Sequence, residues 1–127
     1  LYFNGESYVS KRKRDPWLKA DQLPDLVNLY LGESSGMPNS LSPINVDLLG
    51  LPPILTHVGE DEILLSDSLR LHQKLEDHGV NSELTVWPKM WHVFHCMGDN
   101  LPQARQAISQ VGDFIKRFPL VSGIETS

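Results

Sequence analysis

Two short stretches hold the side chains best suited to chemistry. One is Gly59-Glu60-Asp61-Glu62-Ile63-Leu64, with three consecutive carboxylates; the other is Trp87-Pro88-Lys89-Met90-Trp91-His92-Val93-Phe94, with one histidine among aromatic neighbours. A carboxylate that accepts from one imidazole nitrogen fixes the ring tautomer and offsets the charge of the imidazolium. The other nitrogen is then free to act as a general base. His92 is therefore the candidate base, and Glu60, Asp61 and Glu62 all stand open as its partner. A metal is not expected: His92, His95 and Cys96 crowd one loop, with no fourth ligand at a usual spacing.

Such a pair must be positioned by the elements around it. Ile54 to Val58 is a short, mostly apolar run between Pro53 and Gly59, as expected of a strand buried on both faces. A helix over about 66–78 follows, with Ser66 as its cap, Leu69, His72 and Leu75 on one face, and Gly79 as its stop. Ser82 to Trp87 alternates in polarity and reads as a second strand, ended by Pro88. The last helix starts near Pro102 and carries the apolar stripe Ala104, Ala107, Ile108, Val111, Phe114, Ile115 and Phe118. This βαβα order over 54–118 implies an α/β class, with two parallel strands and a right-handed crossover. Parallel sheets place reactive groups on loops at the carboxyl ends of their strands, which brings the two stretches together. Two strands alone do not make a stable parallel sheet, so the architecture reads as incomplete.

Upstream, residues 1–16 read as loop. Leu23, Leu26, Val27 and Tyr30 recur at helical spacing over 21–31, with Asp21 as the cap, Pro24 in the first turn and Gly32 as the end. Residues 32–53 form an irregular connector in which Leu48-Leu49 makes one short turn. Leu1-Tyr2-Phe3 looks like part of a tag-cleavage site with Asn4 in place of Gln, so residues 1–4 are set apart from the fold. His57 is expected to be a packed, hydrogen-bonded strand residue, and His72 and His78 structural ones.

The 127 residues carry a formal net charge of -5 and are 40% hydrophobic, as in a globular domain. This charge disfavours nucleic acid and anionic membranes as partners, and the basic run Lys11-Arg12-Lys13-Arg14 reads as a solvated loop. No apolar run reaches a membrane span, and the single cysteine, Cys96, suits a reducing, cytoplasmic setting.

Taken in order, several motifs resemble one known family. They are Gly5-Glu6-Ser7, Asp15-Pro16-x-Leu18, Tyr30-Leu31-Gly32, Leu41-Ser42-Pro43, Leu51-Pro52-Pro53-Ile54-Leu55, Val58-Gly59-Glu60-Asp61-Glu62-Ile63-Leu64 with Asp67, Gly79-Val80, and Trp87-Pro88-x-Met90-x-His92-Val93-Phe94. Over about 5–118 the set is similar to the C-terminal part of the hormone-sensitive-lipase-like carboxylesterases and lipases, which have the α/β-hydrolase fold. The resemblance implies a cofactor-free esterase with a Ser-Asp/Glu-His triad, acting on small esters of short to medium acyl chain. His92 falls on the catalytic histidine and Glu62, thirty residues earlier, on the acid, with Asp61 as its rival. Trp91, Val93, Phe94 and Trp17 would face the substrate.

The family's Gly-Asp-Ser-Ala-Gly elbow and His-Gly-Gly-Gly oxyanion segment do not occur in this sequence. A literal Gly-x-Ser-x-Gly stands at Gly32-Glu33-Ser34-Ser35-Gly36, but an elbow needs a strand before it and a helix after it. Here a helix precedes and Met37-Pro38-Asn39-Ser40 follows as loop, so Ser34 is not expected to be the nucleophile. The residues are thus expected to supply acid and base without the serine, and to be inactive by themselves. A non-catalytic alternative is a binding or assembly module that buries its open sheet in a partner or a second copy.

Overall fold

The computed structural model describes residues 4–32 and 41–118; Ser34, with all of its motif but Gly32, lies outside the described residues. The chain divides into two compact units, Leu1–Phe94 and His95–Ser127.

In the first unit, Ile54–Gly59 (β1) and Ser82–Trp87 (β2) pair in parallel, in register from Ile54 opposite Ser82 to Gly59 opposite Trp87. The crossover helix, Leu65–Asp77 (α3), ends in Gly79 at φ 71, a left-handed conformation that favours glycine. Ser66 does not cap α3. It lies in the first turn, and its hydroxyl accepts from the Ser7 N–H at 2.9 Å. Of the expected helix face, Leu75 is buried, while Leu69 is 46% exposed. Leu75 packs with Leu48 and Val80, and Val46, Ile54 and Leu71 close around them. The expectation of a strand buried on both faces is not met: Ile54 to His57 are half-buried, and only Val58 and Gly59 are fully covered. Among the described residues each strand has a single neighbour.

Two elements precede the sheet. Ser7–Ser10 is a single helical turn (α1) where loop was expected; it is too short for apolar periodicity to reveal. Leu23–Leu31 (α2) starts one residue later than a cap at Asp21 implies, after Gln22, with no side-chain cap; Gly32 ends it at φ 60. The connector holds a short 3-10 turn, Pro43–Asn45, and a turn at Leu48 to Leu51 closed by Gly50 at φ 79. Lys74 fastens it to α3, donating to the carbonyls of Ile44 (2.8 Å) and Val46.

In the second unit, Pro102–Arg117 (α4) buries Ala104 and Ala107, and the Arg117 guanidinium lies over the rings of Phe114 and Phe118. Ile108, Val111 and Ile115 of its expected stripe are 49%, 37% and 62% exposed.

Candidate active site

Both loops leave the carboxyl ends of their strands, and backbone hydrogen bonds lace them together. The amides of Glu60 and Asp61 donate to the carbonyls of Trp87 and Met90, each at 2.9 Å. So close an approach needs Gly59: a Cβ there would stand 2.2 Å from the Met90 carbonyl oxygen and 2.9 Å from the Trp91 nitrogen. No other residue leaves that space empty.

The three adjacent carboxylates then separate into three tasks. Glu60 turns outward, and its Oε2 accepts from the Lys89 N–H at 2.9 Å, holding a residue at φ 59. Asp61 faces the basic run, 3.1 Å from Arg14 Nη1 and 3.6 Å from Lys11 Nζ. The run is the largely exposed loop that was expected, with Arg12, Lys13 and Arg14 exposed and Lys11 half-buried, and two of its charges are paired with Asp61. A surface pair such as Arg14–Asp61 contributes only about 0.2–1 kcal/mol. Glu62 turns inward. One oxygen, Oε2, accepts from the Gly59 N–H at 3.0 Å, and the other, Oε1, lies 2.7 Å from His92 Nδ1.

That geometry sets the tautomer. The carboxylate can only accept, so Nδ1 carries the proton and Nε2 is left as the basic nitrogen. The burial is graded, with the Glu62 side chain 8% exposed and that of His92 31%. The acid is thus shielded while the imidazole remains accessible. Among the described residues no side chain or backbone group is bonded to Nε2. A charge-assisted hydrogen bond in this setting contributes about 1.5–3 kcal/mol.

The other residues singled out in the sequence fall in different places. Val93, directly after the histidine, sits at φ 55 and is 37% exposed. A β-branched residue in the left-handed region is strained, and such strain gathers where a loop must present a particular side chain. Trp91 is half-buried. Phe94 is 1% exposed, its ring 5.6 Å from that of Trp87, so it props the loop from inside instead of lining a surface. Trp17 is 64% exposed, and its backbone N–H donates to Asp15. His57 packs edge-on against Trp87. His72 meets Ser82 Oγ at 2.8 Å and His78 the Lys74 carbonyl at 2.8 Å, each tying local structure. Among the described residues no three His, Cys, Asp or Glu side chains gather as metal ligands.

Gly59, Asp15 and Ser7 stood out in the sequence only as a strand boundary and as motif residues, with no part in the site. Gly59 carried a usable signal, a glycine at the junction of an apolar strand and an acidic turn. Asp15 and Ser7 lie 48 and 56 residues from the backbone they bind, and no local pattern announces such contacts.

Comparison with known proteins supplies the context. Residues 3–96 match a family profile described as the alpha/beta hydrolase fold. An acetyl-hydrolase of Streptomyces hygroscopicus is 33% identical over 91% of this chain, which spans 39% of that protein. An esterase of Acinetobacter venetianus is 34% identical over 94% of the chain and 40% of its own length. A crystal structure of an esterase from the bacterial hormone-sensitive lipase family superposes with a TM-score of 0.86 at 35% identity, covering 91% of this chain and 39% of that one. The chain thus spans about two fifths of the length of these relatives.

Proposed function

The chain belongs to the alpha/beta hydrolase fold family, with the hormone-sensitive-lipase-like carboxylesterases and lipases as its relatives, and on that premise we propose that Glu62 and His92 are the acid and base of a serine esterase. The observation that carries this reading is the 2.7 Å contact of a buried carboxylate with Nδ1 of an accessible imidazole. In the proposed reaction His92 Nε2 removes the proton of a serine hydroxyl as its oxygen attacks the ester carbonyl. The imidazolium, balanced by Glu62, passes that proton to the departing alkoxide. A water then gives its proton to Nε2 and attacks the acyl-enzyme, and the carboxylic acid leaves as the serine is reprotonated. The family's motifs for the serine and the oxyanion donors do not occur in the sequence. We assign them to protein outside residues 1–127, and small esters of short to medium acyl chain as substrates. Trp91 and Val93 then flank the substrate side of the histidine.

A cytoplasmic setting is part of the same proposal. Among the described residues no helix is long and apolar enough to cross a membrane, and Cys96 is free and exposed. A second reading, assembly without catalysis, draws on the single-neighbour strands and on Leu26, Leu29 and Tyr30, which stand 52%, 80% and 77% exposed along α2.

A fluorophosphonate probe with intact-mass and peptide mapping separates the readings. The esterase reading expects one adduct on the native polypeptide that carries this sequence, at a serine outside it, and none on the 127-residue chain. An adduct on Ser34 would overturn the assignment of the serine. No adduct on either species would leave the assembly reading in its place.

A further inference from the structure

One fully buried carboxylate takes no part in the chemistry above. Asp15 is 0% exposed. Its Oδ1 accepts from the N–H groups of Trp17 and Leu18, both at 3.0 Å, and its Oδ2 accepts from the Ile63 N–H at 3.3 Å. The nearby cation, Lys19, donates instead to the Asp15 backbone carbonyl at 2.7 Å. The carboxylate is thus held by three backbone amides, and one of them belongs to the residue directly after Glu62.

The same residue is gripped a second time. Ser7 Oγ donates to the Ile63 carbonyl at 2.6 Å and accepts from the Ser66 N–H at 2.9 Å. The Ile63 side chain is itself 0% exposed, packed with Tyr8 and Leu23. Residues 7–15 therefore hold the backbone of the acid turn by both its N–H and its carbonyl.

A buried anion is costly unless each oxygen is satisfied. A turn over residues 15–18 needs one acceptor oxygen, which an uncharged asparagine or serine supplies equally well. The second oxygen of Asp15 is what reaches Ile63. The peptide it binds is the one formed by the Glu62 carbonyl, so it fixes the torsion from which the Glu62 side chain leaves. Glu62 must aim two oxygens at two donors, Gly59 N–H and His92 Nδ1, which tolerates little rotation of that peptide.

We propose that Asp15 is a positioning residue for the Glu62–His92 pair, acting through the Ile63 amide. It rests on the reading of that pair as acid and base, and its test reads the pair's geometry without turnover. Asp15→Asn keeps the size and one acceptor oxygen but sets an NH2 group against the Ile63 N–H. The readout is the low-field Nδ1–H resonance of His92 in protein labelled with 15N-histidine, with the urea midpoint followed alongside. The expected result is exchange of that proton with water about tenfold faster, the factor for one net hydrogen bond lost. Asp15→Ser covers the case in which the asparagine variant does not fold. Its hydroxyl still accepts from Trp17 and Leu18 but is too short to reach Ile63, and the same acceleration is expected. A lowered urea midpoint with an unchanged His92 resonance in the folded protein would make Asp15 merely structural and overturn the proposal. Failure of the catalytic reading would show elsewhere, as full esterase turnover after Glu62→Gln, whatever Asp15 does to the resonance.

Discussion

Gly59→Ala is the perturbation whose size follows most directly from the structure. The φ of Gly59 is not in the left-handed region, so alanine adopts the backbone without strain and the whole cost is steric. The added Cβ would lie 2.2 Å from the Met90 carbonyl oxygen, where ordinary contact begins near 3.4 Å. The two loops must therefore part by up to 3.4 − 2.2, or about 1.2 Å, because the obstacle is backbone and cannot rotate away. Glu62 and His92 sit on opposite sides of that seam. Carried through to the pair, the shift lengthens 2.7 Å to nearly 4 Å, beyond a hydrogen bond. The overpacking costs about 1–3 kcal/mol of stability, and loss of the pair's alignment costs about 10²-fold in kcat/KM of the esterase that carries it. Urea unfolding and the low-field His92 resonance measure the first two effects, and hydrolysis of p-nitrophenyl esters measures the third. An alanine variant that keeps its unfolding free energy within about 0.5 kcal/mol and retains the resonance would show that the seam at Gly59 does not set the geometry.

Two further outcomes follow from local strain and charge. Val93→Gly relieves a left-handed β-branched residue, worth about 1–2 kcal/mol, against the roughly 0.5–1 kcal/mol that glycine adds to unfolded-chain entropy. A net gain of about 0.5–1 kcal/mol in urea unfolding is expected, and a loss of more than that would remove strain from the account. Burial, and then the hydrogen bond to Asp67, pushes the Tyr8 phenol well above its ordinary 10.0. A raised value means that the folded state holds the proton more tightly. The contribution is therefore complete below pH 10.0 and is lost as pH rises above it toward the folded value. Tyr8→Phe should cost about 1 kcal/mol at neutral pH and flatten the alkaline fall of stability; parallel alkaline profiles for the two proteins would contradict this.

Much of the scaffold was legible because it is periodic. The strand at Ser82 to Trp87 and the stops at Gly32 and Gly79 follow from alternation and from glycine's access to positive φ. The starts of helices were less legible. Asp21 and Ser66 look like caps, yet α2 begins without a side-chain cap, and the Ser66 hydroxyl serves Ser7 across the fold. At Ser66 a tertiary partner takes the place of a local one, and no window of sequence contains it. The same holds for the acidic turn. Three neighbouring carboxylates are indistinguishable by composition, and what separates them is direction: Asp61 toward Lys11 and Arg14, Glu60 toward Lys89, Glu62 toward His92. The basic run drew attention as a charge cluster, but its partner lies 47 residues away from Arg14. Phe94 looked like a pocket residue because it follows the histidine closely. The left-handed turn at Val93, which alternation does not foresee, accompanies its placement inside.

The most direct test of the account compares Glu62→Gln with Asp61→Asn in the native polypeptide that carries this sequence, reading kcat/KM for short-acyl p-nitrophenyl esters. Glu62→Gln replaces an acceptor of the Nδ1 proton with an amide that no longer fixes the tautomer, and a loss of about 10³–10⁴-fold is predicted. Asp61→Asn weakens only the pairing with the half-buried Lys11 and the exposed Arg14, on the far side of the turn from His92, and activity within about threefold of the unsubstituted protein is predicted. Activity that survives Glu62→Gln, or collapses with Asp61→Asn while the fold is intact, would contradict the assignment of acid and base.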